Sequence, residues 1–361
     1  MHTVFVLNCG SSSIKFQIID CFSQTPIFKG SVERINTKSP ILKIGTKTST
    51  LIEQNYEDIL DKVFSSIPSI SLDGIGHRVV HGGKYFTSPV KITSDTLEKI
   101  KTCISLAPIH NPKNIIGIEI GQKYFPNIDH VAVFDTAFHH TIPEKAYMYA
   151  IPRELYEHYG IRRYGFHGIS HQYLAKKGAE LLSKPIEETS IISCHLGNGS
   201  SICAIKNGKS VDVSMGFTPT EGLVMGERCG SIDPGIIPYI CDKMKLSPQN
   251  VYKILNTKSG LLGLSGESAC MEQLLQSANA HAKLAVEIFC YSAAKYILSF
   301  IAPLDCVDAI LFTGGIGENS EVIRSKILGY LKPFDFNHFV CVSNEEQVIA
   351  LDAAKIIKAR Q

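Results

Sequence analysis

The first third of the chain alternates short apolar runs with polar breaks, which predicts a sheet with tight turns. Residues 4–7 and 14–19 are apolar runs of strand length, separated by Gly10 and three serines. Runs bounded in this way are typical of a β-hairpin. Further strands are predicted at 28–34, 74–80 and 130–134, and helices at 56–66, 94–103 and 112–124. Ser94 is the expected N-cap of the second helix, and Pro112 is the expected first residue of the third.

The pattern then restarts, which suggests that the fold is duplicated. The motif LNCGSSSI at 7–14 and the motif GNGSSICA at 197–204 are both a strand, an Asn, a glycine with serines, and another strand. Further elements are predicted as strands at 191–195, 201–205 and 310–313 and helices at 236–243, 248–256 and 280–301. Two such halves predict a duplicated α/β protein with a ligand between the halves.

Composition narrows the class of protein. A chain of 361 residues with 44% hydrophobic and 19% charged residues predicts an ordinary folded protein of one or two domains, with two favoured. The formal net charge of +2 predicts no binding to nucleic acid or to an anionic membrane. The longest apolar stretch, 280–303, contains three charged residues and is expected to be a mostly buried helix rather than a membrane span.

The cysteines and the N-terminus indicate a cytoplasmic protein. Eleven scattered cysteines without a C-x-x-C pair favour reduced thiols over a disulfide framework or a zinc site. The N-terminal apolar run is too short for a signal peptide and has no basic residues before it.

Three glycine-rich turns have the chemistry of phosphate binding. Each turn follows an apolar strand and offers backbone N–H groups, and most also have hydroxyls or a cation nearby. The three turns are Gly10 to Ser13 with Lys15, His195 to Ser201, and Thr313 to Asn319. None completes a P-loop, and Ser320 stands where a Rossmann turn would need its last glycine. The first turn taken alone is equally consistent with a plain hairpin and a solvated lysine.

Charged and histidine-rich segments supply candidate catalytic residues. Arg78, in HRVVHGG at 77–83, could bind a carboxylate or phosphate through its planar guanidinium. Asp135 follows an apolar strand, where a functional carboxylate or an N-cap is expected. His167 lies among glycines, and Arg228 lies between glycines; each alone is more often structural or solvated. The H-E-x-x-H and G-x-S-x-G motifs are absent, which disfavours zinc and serine hydrolases.

Taken together, these segments resemble the acetate kinase family. N-x-G-S-S-S-x-K at 8–15 and HRVVHGG at 77–83 are similar to its two signature motifs. Other segments similar to those of the family follow in order: APIHNP at 107–112, VFDTAFH at 133–139, RRYGFHGISH at 162–171, HLGNGSS at 195–201, MGERCG at 225–230, FTGGIGEN at 312–319 and SNEE at 343–346.

The resemblance implies a fold and an assembly. The fold would be α/β, with two related domains of the acetate and sugar kinase, Hsp70 and actin superfamily, a ribonuclease H-like duplication with an active-site cleft between the domains. It implies an N-terminal domain of residues 1–137 plus a returning helix at 348–361, and a nucleotide-binding domain of residues 138–347. It also implies a homodimer that binds a small carboxylic acid and a nucleotide.

The resemblance also assigns roles to residues. Asp135, His167 and Arg228 match catalytic positions, and Arg78 and His110 match substrate-binding positions. Asn8 and Glu345 match the positions that bind Mg²⁺ or Mn²⁺. The nucleotide-binding positions are Lys15, His195, Leu196, Gly197, Asn198, Gly199, Gly315, Ile316, Gly317, Glu318 and Asn319.

The implied reaction is reversible transfer of the γ-phosphoryl group from the co-substrate ATP to acetate. Propionate and butyrate kinases, a pyrophosphate-dependent relative, an Hsp70-like or actin-like binding protein and an inactive paralogue remain alternatives. Cys270 and Glu272 stand where the family usually has Asp and Arg at an adenosine contact, and Glu227 and Ser231 differ from the commoner Thr and Asp. The phosphoryl donor is therefore left open.

Overall fold

The computed structural model describes residues 2–10, 13–35, 37, 39–53 and 55–358. Its strands are β1 (Thr3–Cys9), β2 (Ser13–Asp20), β3 (Thr25–Glu33), β4 (Ile41–Ile44), β5 (Lys47–Thr50), β6 (Gly74–Val79), β7 (Val90–Lys91), β8 (Asp129–Phe134), β9 (Ser190–Leu196), β10 (Ser200–Lys206), β11 (Lys209–Val213), β12 (Ala309–Thr313) and β13 (His338–Val340). Its helices are α1 (Tyr56–Ser65), α2 (Ser94–Thr102), α3 (Asn111–Tyr124), α4 (Glu144–Tyr147), α5 (Arg153–Tyr159), α6 (Gly168–Leu182), α7 (Ile236–Met244), α8 (Pro248–Thr257), α9 (Gly260–Ser265), α10 (Met271–Gln276), α11 (Ala280–Ser299), α12 (Gly314–Asn319), α13 (Glu321–Tyr330) and α14 (Glu345–Lys358).

The chain forms two compact units, each built on one sheet. Unit 1 comprises Met1–Phe138 and Asn344–Gln361, and unit 2 comprises His139–Ser343. The sheet of unit 1 has the order β5-β4-β3-β2-β1-β6-β8-β7, and that of unit 2 has the order β11-β10-β9-β12-β13. The boundaries of the two domains given above stay a prediction.

The two sheets share a core of five strands with the same connectivity. In unit 1, β1 is antiparallel to β2 and parallel to β6, which is parallel to β8. In unit 2, β9 is antiparallel to β10 and parallel to β12, which is parallel to β13. The order β3-β2-β1-β6-β8 thus corresponds to β11-β10-β9-β12-β13. The duplicated α/β fold predicted from the repeated strand–turn–strand pattern is confirmed.

The predicted hairpins form where glycine and serine interrupt the apolar runs. Cys9 pairs with Ile14 across the first turn, and Leu196 pairs with Ser200 across the second. The backbone N–H of Gly10 donates to Ser13 O at 2.8 Å, which closes the first turn. Ser11 and Ser12, which the sequence places in that turn, lie outside the described residues.

Three local predictions need correction. The N-cap of α2 is Thr93, not Ser94, because the Thr93 side chain accepts a hydrogen bond from the Thr96 N–H. Helix α3 begins at Asn111, one residue before Pro112. The segment after β12, predicted to be a turn, is itself the short helix α12, which begins at Gly314 in the left-handed region with φ 79°.

The C-terminal helix α14 packs against the sheet of unit 1. A Cβ atom at Gly74 of β6 would overlap Ile357, and one at Gly76 would lie 2.8 Å from Cγ2 of Ile349. Both isoleucines belong to α14, so the two glycines let the helix lie flush on the strand. The last helix of the chain therefore completes a unit that the first strand begins.

The long helix α11 buries one face in the core of unit 2, as its apolar pattern predicts. Ala282, Ala285, Phe289 and Ala293 are fully buried, while Leu284 is exposed. No helix within the described ranges is long and apolar enough to cross a membrane. All eleven cysteines are free thiols.

Five buried histidines have a lowered pKa. His77 and His130 form a stacked pair in unit 1 with 2.9 Å between Nε2 and Nδ1, and burial lowers the pKa of each. Burial also lowers the pKa of His81 to about 3 and of His139 to about 4, and that of His171 well below its usual value. These imidazoles are neutral in the folded protein at neutral pH.

We expect the protein to lose stability as the pH falls below ~6.5, the ordinary histidine pKa. Below that value the unfolded chain binds protons that the buried imidazoles do not, so each can remove up to about 1.4 kcal/mol per pH unit. Glu345, whose pKa is raised, acts in the opposite direction. Urea unfolding at several pH values measures the slope. It should be shallower for His130→Gln and unchanged for His158→Gln, whose histidine is exposed. A flat profile for the wild type would contradict the assignment.

Candidate active site

A polar cluster lies at the carboxyl ends of the parallel strands of unit 1. Arg78 lies in β6, Asp135 follows β8 and Asn8 lies in β1. Arg78 Nε donates to Asp135 Oδ1 at 3.1 Å, Nη2 donates to Asp135 Oδ2, and Nη1 donates to Asn8 Oδ1 at 3.1 Å. The side chains of Arg78 and Asp135 are 15% and 2% exposed. A bidentate carboxylate thus holds the guanidinium in one orientation.

The first turn of α14 adds two carboxylates to this cluster. Glu346 Oε1 accepts a hydrogen bond from Asn8 Nδ2 at 3.3 Å. Burial opposes the charge on Arg78, yet Asp135, Glu345 and Glu346 together raise its pKa. Burial raises the pKa of Glu345, although Arg78 attracts its charged form. Sequence reasoning selected Glu345 and missed the buried Glu346 beside it.

Lys15 lies on the neighbouring strand. It pairs with Asn8 across β1 and β2 and is exposed. A cavity of about 510 Å³ opens beside Lys15 and Glu346. The structure therefore brings Asn8, Lys15, Arg78 and Glu346 to one end of the sheet.

Two asparagines of α3 fix the chain on either side of the cluster. Asn114 Oδ1 accepts from Val80 N at 3.0 Å, and its Nδ2 donates to Cys9 O at 2.8 Å. Asn111 makes the same pair of bonds with the backbone N–H and C=O of His81, at 3.1 and 3.0 Å. His110 is the partly buried residue before α3. Sequence reasoning missed both asparagines, although they adjoin His110 in HNPKN.

The oxygen donors of this cluster fit a hard divalent cation. Mg²⁺ is usually bound by one or two carboxylates together with substrate phosphates. Glu345 is a carboxylate whose burial disfavours an uncompensated charge, and a cation would stabilise its ionised form. The described residues contain no group of three or more His, Cys, Asp or Glu that could hold a metal without such phosphates.

In unit 2 the turn after β9 lies against the start of α12. An ideal Cβ atom at Gly197 would lie 3.8 Å from the backbone N of Gly315, and one at Gly314 would lie 2.6 Å from Leu196 O. Gly314 therefore has to be a glycine both for its φ and for this close approach. Two of the predicted nucleotide-binding segments, 195–199 and 315–319, are brought together.

Glu318 satisfies the backbone at the start of α12. Its Oε1 accepts from Gly314 N at 3.0 Å, from Thr313 Oγ1 at 3.0 Å and from Ser343 N at 2.8 Å. Burial opposes ionisation, but these hydrogen bonds outweigh it and lower the pKa of Glu318. Asn319 Nδ2 donates to Gly315 O at 2.9 Å. These contacts shape the segment that was predicted to bind the nucleotide.

His167 and Arg228 approach the turn after β9 at Gly199. An ideal Cβ atom at Gly199 would lie 3.3 Å from Cε1 and 3.4 Å from Nε2 of His167, and 3.5 Å from Nη1 of Arg228. His167 is the N-cap of α6 and has φ 56° and ψ 25°. A non-glycine residue in the left-handed region is uncommon, and such residues cluster at functional sites.

The loop that carries Arg228 is anchored by backbone bonds. Gly226 N donates to Asn198 O at 3.0 Å, and Ser259 N donates to Glu227 O at 3.0 Å. Arg228 Nη1 donates to Pro219 O at 3.2 Å. The tie to Asn198 couples the position of Arg228 to the turn after β9.

Serine hydroxyls orient the histidines behind this turn. His167 Nδ1 lies 3.0 Å from Ser201 Oγ, and His195 Nδ1 lies 2.8 Å from Ser170 Oγ. The rings of His167 and His195 are 4.3 Å apart between centroids. Ser170, in the GFHGISH segment, was assigned no role from sequence. Ser201 was included in the predicted phosphate-binding turn, and its hydroxyl contacts His167 and His171.

Cys270 and Glu272, the two departures at the expected adenosine contact, are both exposed. Cys270 is the N-cap of α10, and its backbone N donates to Ser268 Oγ at 3.0 Å. Glu272 lies in the first turn of the same helix. Cys270 cannot provide the negative charge of an Asp at its position, and Glu272 cannot provide the positive charge of an Arg at its position.

Comparison with known proteins gives one consistent result. Residues 3–358 match the profile of the Acetokinase family. An acetate kinase of Carboxydothermus hydrogenoformans is 48% identical over 345 residues, which cover 91% of this chain and 87% of that protein.

Solved structures share the whole fold. A propionate kinase of Francisella tularensis superposes with a TM-score of 0.93 at 41% identity and covers 99% of this chain and 100% of its own. A Porphyromonas gingivalis acetate kinase superposes with a TM-score of 0.89 at 35% identity and the same coverage of both chains. The predicted superfamily fold is confirmed.

Proposed function

This chain belongs to the acetokinase family, and we propose on that basis that it transfers the γ-phosphoryl group of ATP to acetate, giving acetyl phosphate and ADP. The family match over nearly the whole chain is the observation that carries the proposal. It is supported by the positions of Arg78, His167 and Arg228 beside strand-end turns with the chemistry to bind phosphate.

The chemistry requires neutralisation of charge more than proton transfer. A carboxyl group with a pKa near ~4 is ionised at neutral pH, so acetate needs no general base to become a nucleophile. One carboxylate oxygen attacks the γ-phosphorus in line while the bond to the β,γ-bridging oxygen breaks and ADP departs with that electron pair. The main difficulty is to bring two anions together, which fixed positive groups achieve by positioning and electrostatic stabilisation.

Unit 1 supplies the groups for the carboxylic acid. Arg78 would bind the acetate carboxylate, and His110, at the N-cap of α3, would be a further substrate-binding residue. Asp135 orients the guanidinium, since both its oxygens accept from Arg78. We therefore assign Asp135 to positioning Arg78 rather than to acting as a base. Asn8 and Glu345 would hold Mg²⁺, which offsets phosphate charge when it is bound with the nucleotide.

Unit 2 supplies the groups for the phosphates. The segments at 195–199 and 315–319 would bind ATP through their backbone N–H groups, and Lys15 of unit 1 would contact a phosphate oxygen. His167 and Arg228 would stabilise the charge that develops on the transferring group. Both side chains lie within 3.5 Å of the position that a Cβ atom at Gly199 would take, which supports a common role.

An acyl phosphate assay tests the proposal. The protein is incubated with Mg²⁺, one of acetate, propionate or butyrate, and one of ATP, GTP or pyrophosphate, and the product is trapped with hydroxylamine. We expect acetyl hydroxamate with ATP and its loss after EDTA treatment. A donor other than ATP would agree with the altered positions Cys270 and Glu272. No acyl phosphate with any pairing would refute the proposal and favour a binding protein or an inactive paralogue.

Propionate is the second candidate substrate. The solved protein with a TM-score of 0.93 is described as a propionate kinase, whereas the curated relative at 48% identity is described as an acetate kinase. One methylene group in an apolar pocket changes kcat/KM by about 10- to 200-fold. The ratio of kcat/KM for the two acids, measured in the same assay, decides between them.

Gly199→Ala should lower kcat about 10-fold, because shifts of a fraction of an ångström in positioning groups are costly. The new methyl group would press on His167 and Arg228, while the backbone of Gly199 lies outside the left-handed region and accepts alanine. Gly329→Ala, where nothing lies within 4 Å, is the matched control. Full activity of Gly199→Ala with an unchanged unfolding midpoint would contradict this geometry.

A homodimer is the proposed assembly, and α7 of unit 2 is its proposed contact. This helix, IIPYICDKM, has no buried residue among its apolar side chains, and Tyr239 and Met244 are 64% and 58% exposed. A contiguous exposed apolar face is typical of an interface. Light scattering should give twice 39.7 kDa for the wild type and 39.7 kDa for Tyr239→Lys/Met244→Lys. The control Phe22→Lys, at an exposed residue of unit 1, should remain dimeric, and a wild-type monomer would refute the assembly.

We also propose a cytoplasmic location. Eleven free thiols, six of them buried, are typical of a reducing compartment.

A further inference from the structure

Four side chains of unit 2 form a continuous chain of hydrogen bonds that ends at His167. Ser193 Oγ lies 2.6 Å from His171 Nδ1, His171 Nε2 lies 2.8 Å from Ser201 Oγ, and Ser201 Oγ lies 3.0 Å from His167 Nδ1. Ser193, His171 and Ser201 are fully buried. Because buried polar groups have no water to exchange with, the donors and acceptors along this chain must match.

The far end of the chain sets the direction of the protons. Ser193 Oγ lies 3.4 Å from Cys203 O, a carbonyl that can only accept, so the serine hydroxyl donates there. Ser193 must then accept from His171 Nδ1–H. Burial, with the nearby His139 and His195, lowers the pKa of His171 well below its usual value, so His171 is neutral and carries one proton. Its Nε2 therefore accepts from the Ser201 hydroxyl.

The near end follows by elimination. Ser201 has one hydroxyl proton, which is donated to His171. The remaining contact of Ser201 must therefore be filled by a proton on His167 Nδ1. If the hydrogen bonds ran the other way, Ser193 would donate its hydroxyl proton to His171 Nδ1, and no hydrogen would remain for the contact between Ser193 Oγ and Cys203 O.

We propose that Ser201 and His171 are positioning residues that hold the proton of His167 on Nδ1 and direct Nε2 to the transferring phosphoryl group. The proposal rests on the proposed function for the identity of that group. Nε2 is the ring nitrogen nearest the Gly199 position, 3.4 Å from where a Cβ atom there would lie, with Cε1 beside it at 3.3 Å. Fixed in this way, His167 can take a second proton on Nε2 and donate it as a hydrogen bond to a phosphoryl oxygen without breaking the chain.

Other histidines, an arginine and a helix N-terminus lie around His167. His195 stacks at 4.3 Å between ring centroids, and Nη1 of Arg228 approaches the same Gly199 position. His171 lies beyond Ser201, and His139 contacts His171 edge-on. The N-terminus of α6 adds the positive end of a helix dipole at His167.

Nitrogen NMR of ¹⁵N-histidine-labelled full-length protein tests the tautomer without any turnover. At about pH 8.5, two units above the ordinary histidine pKa of ~6.5, the ring should be neutral. We expect His167 Nδ1 to carry the proton, with its signals assigned by their loss in His167→Gln. In Ser201→Ala this preference should be lost. A wild-type His167 protonated only on Nε2, or a tautomer unchanged in Ser201→Ala, would overturn the proposal.

Kinetics supply the second readout. Loss of an orienting partner of a functional histidine typically costs about 10- to 100-fold, and we expect Ser201→Ala to lower kcat by that factor with KM for ATP nearly unchanged. Ser210→Ala is the matched control, since Ser210 is equally buried and its hydroxyl lies 2.8 Å from Nδ1 of His139, whose ring packs edge-on against His171 but is not one of the four side chains in the chain of hydrogen bonds. It should leave both kcat and the His167 tautomer as they are. An inactive wild type with the expected tautomer would refute the proposed function alone.

Discussion

Arg228→Ala should lower kcat by about 10²- to 10³-fold, the usual consequence of removing one charge-stabilising group from a transition state. Its guanidinium lies beside Gly199 and His167 on a loop tied to the turn after β9. Arg228 Nη1 donates to Pro219 O at 3.2 Å and lies 3.9 Å from Met225 Sδ. The unfolding midpoint is measured beside the rate, so that a loss of turnover in folded protein can be told from unfolding. Initial rates of acyl phosphate formation at saturating ATP and acetate measure the effect.

Arg153→Ala is the matched control for this experiment. Arg153 is an exposed arginine of unit 2 that pairs with Glu157 at 2.9 Å within α5. Exposed pairs of this kind contribute less than about 1 kcal/mol, so both rate and stability should stay near wild type. Near-normal turnover in Arg228→Ala would remove this residue from the mechanism.

Arg78→Ala should abolish most activity and also destabilise unit 1. The side chain of Asp135 is only 2% exposed and both its oxygens accept from Arg78, so deleting the guanidinium removes a charge partner from a buried carboxylate, at a cost of about 3–5 kcal/mol. Loss of the acid-binding guanidinium should reduce kcat/KM for acetate by about 10²- to 10³-fold. The measurements are kcat/KM for acetate and the urea unfolding midpoint, and both should fall.

A double variant separates the two effects. In Arg78→Met/Asp135→Leu the buried ion pair is replaced by apolar side chains of similar volume, which is often neutral or stabilising. Stability should recover while activity stays low. If activity returned with stability, Arg78 would serve the fold and not the substrate.

The hairpins, strands and helices that were predicted correctly are determined by patterns within short stretches of sequence. The hairpin at Gly10, the strand before Asp135 and the helix from Tyr56 each combine an apolar period with a turn or cap signal. Strand β5, of sequence KTST, was not predicted because all four of its residues are exposed and polar. It forms only because β4 offers it a paired edge.

The candidate site could be predicted only where one segment carried the chemistry. Arg78 was a candidate from its own segment, HRVVHGG, whereas Arg228 alone was more often solvated and received its role from the resemblance of the whole set of segments. Glu346 and Asn8 are 338 residues apart, and His171 and Ser201 are 30 apart. These partners become neighbours through the sheet order, and no local pattern indicates which serine or asparagine will face which histidine or strand end. The residues that orient the site were therefore missed more often than those expected to touch ligands.

The return of α14 to the sheet of unit 1 has a consequence for biosynthesis. Residues 139–343 are synthesised before α14, the helix that covers β6. Unit 2 can therefore fold during translation at a stage when the sheet of unit 1 still lacks this helix. The exposed glycine-lined strand is the part of the nascent polypeptide that most needs a chaperone. A stop codon at position 344 or 345 would leave the sequence of unit 2 intact but remove Glu345, Glu346 and the rest of α14, so the sheet of unit 1 would lack the helix that covers it.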